Sequence, residues 1–379
     1  MADSYSFGIE EEYFLVDAQT KAVMRRMPAE FMSDAQAALG ESVSGEFLQS
    51  QIEVMTPPHT DMGAALAQLR DLRRTAAEIA AQHGMGILAT GTHPTAQWER
   101  SSQSEGERYD TVMDDLQMIG RRNMLCGLHV HVEVPDPSQR IDVMSRILPY
   151  LPLFIALSTS SPFWRSQNTG LKGYRLAAYD ELPRTGIPEM FRTQAEFDAY
   201  VDALVRANVI PDSSYIWWTI RPSLAHPTLE LRAPDACTNV EHAIAIAALY
   251  RGLVRRLVRD PAKNAEHDIV SRAIIKENKW RAQRYGINGT FADLWGQGAL
   301  TVEDMLRDVL DDIRDDVDAL GCAKEAMSCR DILTTGTSAD NQIQIFENSG
   351  GDDNRDTALR MVAEWIAKQS VPQMNKTYA

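Results

Sequence analysis

The sequence predicts an α+β fold in which helices pack outside a mainly antiparallel β-sheet. Strand-like segments cluster in the first two thirds of the chain, whereas the last third is almost entirely helical in pattern. The connections between strands are long helices in some places and tight turns in others, unlike the regular alternation of βαβ units. The strand candidates are residues 5–17, 47–56, 86–89, 127–134, 217–222 and 228–232.

Several predicted helices have recognisable ends. Asp61 precedes an apolar-periodic stretch that runs to His83 and stops at Gly84. Thr193 and Glu196 form a capping-box pattern that opens a helix to about residue 207. Further helices are predicted for residues 240–259 after Asn239, from Asn264 to about 285, for 301–320 and for 352–369.

No internal repeat and no linker rich in Gly, Ser or Pro divides the 379 residues. A chain of this length can bury roughly 75% of its unfolded surface, so its core needs no disulfide or metal support. We therefore expect one domain over residues 1–379, with a sheet-forming part to about 295 and a helical part from about 296.

The composition narrows the range of partners and compartments. The 53 acidic and 38 basic residues give a net charge of −15, which argues against a general nucleic-acid binder. No apolar run approaches the ~20 residues of a membrane helix, and the first residues lack a signal-peptide pattern. The four scattered cysteines include no C-x-x-C pair, which favours reduced thiols. The prediction is a cytoplasmic protein without nucleic-acid or membrane partners.

Four of the predicted strands place polar side chains on one face. Because successive side chains of a strand point to opposite faces, Glu10 and Glu12 point the same way, opposite Ile9 and Tyr13. The other polar sets are Gln49, Gln51 and Glu53, then His129, His131 and Glu133, and finally Glu230 with Arg232.

A strand with one polar face usually shows that face to water. Solvated faces are normally rich in Lys, Thr and Ser, however, whereas these faces offer mainly Glu, Gln and His. If the strands share one sheet, their carboxylates crowd together, and like charges on facing strands destabilise a sheet. At ~4 Å and an effective dielectric near 20, each such pair costs about 4 kcal/mol, a large part of a typical domain stability of ~5–15 kcal/mol. The cluster therefore predicts that a cation offsets the repulsion.

The donor set favours a hard cation. Oxygen donors with a single imidazole select Mg²⁺, or Mn²⁺, over zinc, which prefers Cys and several His. The run Cys126-x-x-His129-x-His131 could supply zinc ligands, but one thiol in a strand-like run is more typical of a buried core. Mg²⁺ held by carboxylates usually shares its other positions with substrate phosphates, which indicates a nucleoside triphosphate. The sequence contains neither a P-loop motif nor a G-x-G-x-x-G motif.

Short motifs lie in order between residue 5 and about residue 295. They are Gly8-Ile9-Glu10-Glu11-Glu12-Tyr13-Phe14-Leu15, Gln51-Ile52-Glu53, Gly91-Thr92-His93-Pro94, Gly127-Leu128-His129-Val130-His131, Leu229-Glu230-Leu231-Arg232-Ala233-Pro234-Asp235 and Glu277-Asn278-Lys279-Trp280-Arg281-Ala282-Gln283-Arg284-Tyr285-Gly286. Together they resemble the carboxylate–amine ligases, the type 2 branch of the glutamate–cysteine ligase family.

The resemblance implies a fold, an activity and a set of site residues. The fold would be a single catalytic domain with a glutamine-synthetase-like antiparallel sheet, curved into a funnel with helices outside. The activity would be ATP-dependent joining of a carboxylate, usually the γ-carboxylate of glutamate, to an amine, usually that of cysteine, through an acyl phosphate. By resemblance, Arg232 would lie beside the transferring phosphate, and Arg175 would be a second phosphate or substrate arginine. The metal ligands would be Glu10, Glu12, Glu53, His129 and Glu230, with Glu46 as a further acidic ligand.

Basic residues on the predicted helix 264–285 form a second candidate cluster. Helical spacing puts Asn278 and Arg281 on adjoining turns, with Arg284 three residues further on. A solvated basic face is the simpler reading, and the functional alternative is a clamp for ATP or substrate led by Arg281. His131 is a weaker ligand than its neighbour, because a second imidazole would shift the site away from Mg²⁺, and it is assigned to substrate or ATP binding.

Two other functions remain open on the residues alone. A two-metal phosphate-ester hydrolase would use the same carboxylates with water as the nucleophile, and a non-catalytic nucleotide- or metal-binding scaffold would show no turnover. The residues do not specify the carboxylate donor or the amine acceptor. A homodimer agrees with the frequency of symmetric association among soluble proteins, but no surface pattern specifies it.

Overall fold

The computed structural model describes residues 4–104, 106–296 and 298–372. Within these residues, the main sheet has seven strands in the order β2-β3-β1-β5-β9-β8, with β4 also paired to β1, and two short hairpins lie outside it. The strands are β1 (Phe7–Asp17), β2 (Val43–Gly45), β3 (Gln51–Met55), β4 (Met85–Leu88), β5 (Leu128–Glu133), β6 (Phe163–Trp164), β7 (Gln167–Asn168), β8 (Ile220–Pro222), β9 (Thr228–Leu231), β10 (Thr290–Ala292) and β11 (Ala299–Thr301).

Strand β1 is the centre of the main sheet. It pairs with β3 along one edge, while β5 and β4 divide the other edge between residues 7–11 and 14–17. Every pairing in the sheet is antiparallel. The predicted α+β class with a mainly antiparallel sheet is therefore confirmed.

Helices cover one face of this sheet and form the last third of the described chain. The helices are α1 (Ala29–Leu39), α2 (Met62–Gln82), α3 (Glu107–Arg121), α4 (Arg140–Ile147), α5 (Leu151–Ser158), α6 (Tyr174–Tyr179), α7 (Gln194–Arg206), α8 (Val240–Arg259), α9 (Ile269–Tyr285), α10 (Val302–Asp312), α11 (Arg314–Ala319), α12 (Ala323–Met327), α13 (Cys329–Thr335), α14 (Ser338–Asn348) and α15 (Arg355–Ser370). Short 3₁₀ turns lie at Gly40–Ser42, Trp98–Arg100, Pro137–Gln139, Leu148–Tyr150, Ser213–Tyr215, Gly286–Asn288 and Gly351–Asn354.

The capping predictions are largely confirmed. The Asp61 side chain accepts a hydrogen bond from the Ala64 N–H at the start of α2, and the capping box of Thr193 and Glu196 opens α7. Asn239 caps α8 by accepting a hydrogen bond from the Glu241 N–H. Each side chain satisfies an N–H group that the first helical turn leaves without an intrahelical partner.

Three predicted helix boundaries are wrong. Helix α9 begins at Ile269, because Asp268 supplies the cap, whereas Asn264 has a left-handed φ of 59° and binds the Arg146 carbonyl. The predicted helix 301–320 is interrupted at Ile313, where ψ is 6°. The last helix begins at Arg355, three residues after the predicted start, because Gly351–Asn354 form a 3₁₀ turn.

Strand β3 is shorter than predicted. The Gln51 N–H donates to the Leu48 carbonyl in a turn, so residues 47–50 precede the strand. Gln49 therefore does not share a strand face with Glu53, and only Gln51 of the predicted pair does.

The helix-facing side of β1 holds a buried ion pair. Glu11 points away from Glu10 and Glu12, as the alternation predicts, and its carboxylate accepts hydrogen bonds from Arg73 of α2 at 2.5 and 2.9 Å. Both side chains are fully buried, and the Tyr13 hydroxyl also donates to Glu11. Arg73 additionally donates to the carbonyls of Cys237 and Thr238, which ties β1 and α2 to the segment before α8.

Apolar packing extends from the sheet into the C-terminal helices as one buried cluster. Among the described residues, one helical stretch, Pro137–Ser158, has the length and composition to cross a membrane, but 94% of the 18-residue apolar segment within it is buried in the protein. It contains α5, which contacts α8 and α9, so its apolar character serves the core. The four cysteines are free and buried.

Candidate active site

The polar face of the main sheet forms the floor of a cavity of about 340 Å³. Its floor carries Glu10, Glu12, Glu53 and His129 from β1, β3 and β5. Arg232, just after β9, and Arg175, in α6, lie in the wall. Segments more than 200 residues apart in the sequence thus meet at one site.

The strand register places each acidic residue of the floor directly opposite another glutamate or a histidine. Glu12 pairs with Glu53 across β1 and β3, and Glu10 pairs with His129 across β1 and β5. Residue Glu230 of β9 faces His131 in the same way. Directly opposed side chains lie about 4.5–5.5 Å apart at their Cβ atoms, so this register brings Glu12 close to Glu53 and each imidazole close to a carboxylate.

Two groups of side chains have the geometry of cation sites. Glu10, His129 and Glu230 form one group, and Glu12, Glu53 and His129 form the other, with the donor atoms of each group within 4.8 Å of one another. The His129 Nδ1 atom lies 3.3 Å from Glu10, and its Nε2 atom lies 3.7 Å from Glu12.

The cation fit can be tested on His129. Its Nε2 atom is buried and has no hydrogen-bond partner, a costly state that a bound cation would relieve. Oxygen donors with one imidazole suit Mg²⁺ or Mn²⁺. Cys126 of the alternative zinc set belongs to neither group found among the described residues, and its thiol accepts a hydrogen bond from Gln51.

Repulsion within the cluster shifts two carboxyl groups toward the neutral form. Burial and the neighbouring charge of Glu12 raise the pKa of Glu46 from 4.5 to about 8. Burial, followed by the charges of Glu10, Glu46 and Glu12, raises the pKa of Glu53 well above its usual range. These shifts are those of a site whose negative charge exceeds its positive charge.

Two other carboxylates stay ionised because cations compensate for their burial. Burial alone would raise the pKa of Glu10, but hydrogen bonds from His129 and His131 outweigh it and lower the pKa. Burial likewise opposes ionisation of Glu230, yet Arg232 and Arg221 hold its pKa far below the usual range. The site therefore contains both ionised and proton-retaining carboxyl groups.

The two imidazoles respond in opposite directions. Burial and then the charge of Arg232 lower the pKa of His129, which favours the neutral ring that a cation requires. For His131, hydrogen bonding to Glu10 and the charge of Glu230 outweigh burial and raise the pKa. His131 lies 3.2 Å from Glu10 and bonds the Thr228 hydroxyl, at the edge of the cluster and outside the cavity lining.

Two guanidinium groups lie beside the carboxylates. Arg232 binds Glu230, and the pKa of Arg232 is raised, since the charge of Glu230 outweighs burial. Arg175 donates to the carbonyls of Arg232 and Pro234 at 3.2 Å each. The Nε atoms of both arginines are buried without a hydrogen-bond partner, so each retains an N–H group for an anionic ligand.

Glu46, which the family resemblance implies as a further acidic ligand, lies in the cavity wall. Its carboxylate accepts a hydrogen bond from the Phe47 N–H at 3.0 Å. It belongs to neither of the two cation groups found among the described residues.

The basic residues of α9 do not join the cavity. The Asn278 side chain bonds the backbone N–H and carbonyl of Ala292, and the Arg281 side chain bonds Thr290. Both thereby attach the hairpin β10–β11 to α9. Arg284 is exposed and lies 5.2 Å from the Tyr285 ring. Helical spacing made Asn278 and Arg281 neighbours but could not show that their side chains bind the hairpin β10–β11 and not a ligand.

Several cavity residues were missed by the sequence reasoning. Arg221 of β8 faces Glu230 and binds it at 2.6 Å, and opposite charges on facing strands were the available signal. Tyr179, Asn123 and Trp217 also line the cavity. No spacing rule connects these three to the acidic strands.

Comparisons with known proteins identify the family of the chain and agree with its architecture. The family model described as glutamate-cysteine ligase family 2 matches residues 6–358. A protein provisionally named glutamate–cysteine ligase 2 from Bradyrhizobium diazoefficiens is 52% identical over 370 residues, covering 98% of this chain and 85% of the relative. A protein of the same name from Rhodospirillum rubrum is 42% identical over 373 residues, covering 97% and 96%.

Two solved structures share the fold. A bifunctional glutathione synthetase from Pasteurella multocida aligns with a TM-score of 0.68 at 16% identity, covering 96% of this chain and 52% of that one. A glutamate–cysteine ligase from Francisella tularensis, solved in complex with AMP, aligns with a TM-score of 0.66 at 14% identity, covering 97% and 89%. At these identities the likeness concerns the fold alone. The family match and the two relatives carry the assignment: the expected ligase family is confirmed, and the chain belongs to glutamate–cysteine ligase family 2.

Proposed function

We propose that this protein is an ATP- and Mg²⁺-dependent carboxylate–amine ligase that forms a γ-glutamyl-type amide through an acyl phosphate. The observation that carries the proposal is the composition of one cavity. Carboxylates and one imidazole face two guanidinium groups that each retain a free Nε–H. Among the described residues that line the cavity, none is a serine, threonine or cysteine, which agrees with a reaction that needs no nucleophilic side chain.

The proposed chemistry follows from the poor reactivity of a carboxylate. An oxygen of the carboxylate attacks the γ-phosphorus of ATP, the bond to the β-bridging oxygen breaks, and ADP leaves. The amine nitrogen then attacks the acyl carbon and forms the C–N bond, while the bond between the acyl carbon and the phosphate oxygen breaks and inorganic phosphate leaves with the electron pair. The amine loses a proton in this second step. Phosphoryl transfer requires alignment and charge neutralisation more than it requires an acid or base.

The acidic residues and the arginines have separate roles in this proposal. Glu10, Glu12, Glu53, Glu230 and His129 would hold the divalent cations, with Glu46 as an additional carboxylate. Mg²⁺, when bound, neutralises phosphate charge and holds the phosphates in line. Arg232 and Arg175 are proposed to donate their free Nε–H groups to the oxygens of the transferring phosphoryl group.

The apolar part of the cavity lining suits the acceptor. Phe47, Leu116 of α3 and Trp217 belong to it. Apolar cover limits the access of water, which would otherwise hydrolyse an acyl phosphate. Because the relatives are named after glutamate and cysteine, these two amino acids are the first substrate pair to test.

An ADP-release assay over a matrix of carboxylic acids and amines tests the proposal. The expected result is ADP release only when Mg²⁺, a carboxylate and an amine are all present, with stoichiometric amide formation. ADP release without an amine would indicate a hydrolase. Nucleotide binding without turnover across the matrix would indicate a scaffold.

A further inference from the structure

The guanidinium of Arg175 occupies the space beside a glycine at the start of β5. A Cβ atom on Gly127 would lie 2.1 Å from the Nη2 atom of Arg175 and 2.7 Å from its Cζ atom. Contacts this short cannot exist, so any side chain at residue 127 would displace the guanidinium. The φ of Gly127 is not in the left-handed region, so backbone conformation does not require glycine here.

A chain of buried hydrogen bonds fixes the backbone of Arg175. Its N–H donates to the Ser161 Oγ atom at 2.9 Å, and the Ser161 hydroxyl donates to the Asp235 Oδ2 atom at 2.7 Å. The same Asp235 oxygen accepts the Ser160 N–H at 3.0 Å. Because Ser161 is fully buried and Asp235 is 3% exposed, these bonds are shielded from water.

A second glycine admits the Asp235 carboxylate to this position. A Cβ atom on Gly91 would lie 2.7 Å from the Asp235 Cγ atom. The Gly91 N–H also donates to the Ser160 hydroxyl at 2.7 Å. Three motifs that are remote in sequence, at Gly91, Gly127 and Asp235, therefore converge on the segment that carries Arg175.

Helix α9 binds both ends of the short helix α6. The Gln283 carbonyl accepts the N–H groups of Lys172 and Gly173, just before α6, at 2.7 and 2.9 Å. At the other end of α6, the buried Lys279 side chain binds Asp180. The motif of residues 277–286, which does not reach the cavity, thus contacts both ends of the helix that does.

We propose that Ser161 and Asp235 are positioning residues for Arg175, and that residue 127 is a glycine because the Arg175 guanidinium fills the space of its missing side chain. The network fixes the guanidinium over the start of β5, next to Arg232. This inference rests on the proposed function only for what Arg175 binds. The positioning itself is a statement about coupling between residues and can be tested separately.

Two double-mutant cycles test this coupling. One combines Gly127→Ala with Arg175→Ala, and the other combines Ser161→Ala with Arg175→Ala. Gly127→Ala is compared with Gly86→Ala in β4, where the nearest atom to an added Cβ lies at 3.7 Å. The control for Ser161→Ala is Ser145→Ala, which removes a hydroxyl from a fully buried serine whose Oγ atom donates to the Phe191 carbonyl.

In the wild-type background, Gly127→Ala and Ser161→Ala should each lower kcat for ADP release by about tenfold or more, with the KM for ATP changed less than about threefold. In the Arg175→Ala background, each should change kcat by less than about twofold, because the group to be positioned is gone. The two controls should retain the kcat of the wild type within about twofold.

The proposal would be overturned if Gly127→Ala or Ser161→Ala lowered kcat by the same factor in the Arg175→Ala background as in the wild type. Such a result for Gly127→Ala would indicate that the added methyl acts on His129, whose Nε2 atom lies 3.1 Å from the same position. If the wild type releases no ADP with any substrate pair, the cycle of Gly127→Ala with Arg175→Ala is measured as the free energy of unfolding in urea, where the added methyl should cost less once the Arg175 guanidinium is absent. Non-additive losses there support the positioning even if the ligase proposal fails, and additive losses overturn it.

Discussion

The metal-free protein should lose stability as the pH rises, and Glu46 should account for a measurable part of the loss. Burial and the charge of Glu12 raise the pKa of Glu46 from 4.5 to about 8. Between these values the folded state binds more protons than the unfolded state, so the free energy of unfolding falls as the pH increases. The sign is opposite to that of a carboxylate held ionised by an ion pair.

The size of this effect follows from the shift. One pKa unit corresponds to 1.36 kcal/mol, so the full shift amounts to about 5 kcal/mol. Glu46 is partly open to the cavity, and screening by water reduces the expected contribution to about 2 kcal/mol. The substitution Glu46→Gln keeps the shape of the side chain and removes its titration.

Urea unfolding in EDTA, from about pH 5 to about pH 8.5, measures the contribution. The stability of wild type relative to Glu46→Gln should fall by about 2 kcal/mol over this range. Glu41→Gln, at an exposed residue of the preceding 3₁₀ turn, should leave the pH profile of the wild type unchanged. Saturating Mg²⁺ should flatten the wild-type profile, since the cation offsets the repulsion. Parallel profiles for wild type and Glu46→Gln in EDTA would refute the reasoning.

Three other substitutions test separate parts of the site and fold. Glu53→Gln should abolish Mg²⁺-dependent ADP release with an unchanged circular dichroism spectrum, and wild-type kcat at saturating Mg²⁺ would contradict its role. Arg232→Lys should lower kcat about tenfold or more with a smaller effect on the Kd of ATP, because an ammonium group does not reproduce the planar set of N–H donors of a guanidinium. An unchanged kcat would contradict the proposed contact of Arg232 with the transferring phosphoryl group. Arg73→Met should destabilise the fold by about 3–5 kcal/mol, because Glu11 would stay buried without its partner, and a loss below about 1 kcal/mol in urea unfolding would contradict this.

The alternation of strands made much of the acidic floor predictable. A strand side chain can point only to one of two faces, so Glu10 and Glu12 had to share one and Glu11 had to take the other. The same rule placed His129 and His131 on the face opposite Leu128, Val130 and Val132. It did not reveal which strands are neighbours, and the antiparallel pairing of β1 with both β3 and β5 decided whether the sets would meet.

The walls of the cavity were not predictable in this way. A helix offers a continuous range of directions, and its position depends on packing with segments far away in the sequence. Arg281 on α9 was therefore assigned to the site from spacing, while Trp217 and Leu116 were not. The role of Gly127 depends on an arginine 48 residues later, and no local pattern reports such a contact.

The central position of β1 has a consequence for the kinetics of the protein. Its partners are residues 51–55, 85–88 and 128–132. The chain must therefore close long loops during folding before the acidic residues of these strands become neighbours. We therefore expect the acidic residues to become neighbours mainly after the transition state for folding. Divalent ions should therefore leave the refolding rate nearly constant and lengthen the lifetime of the native state.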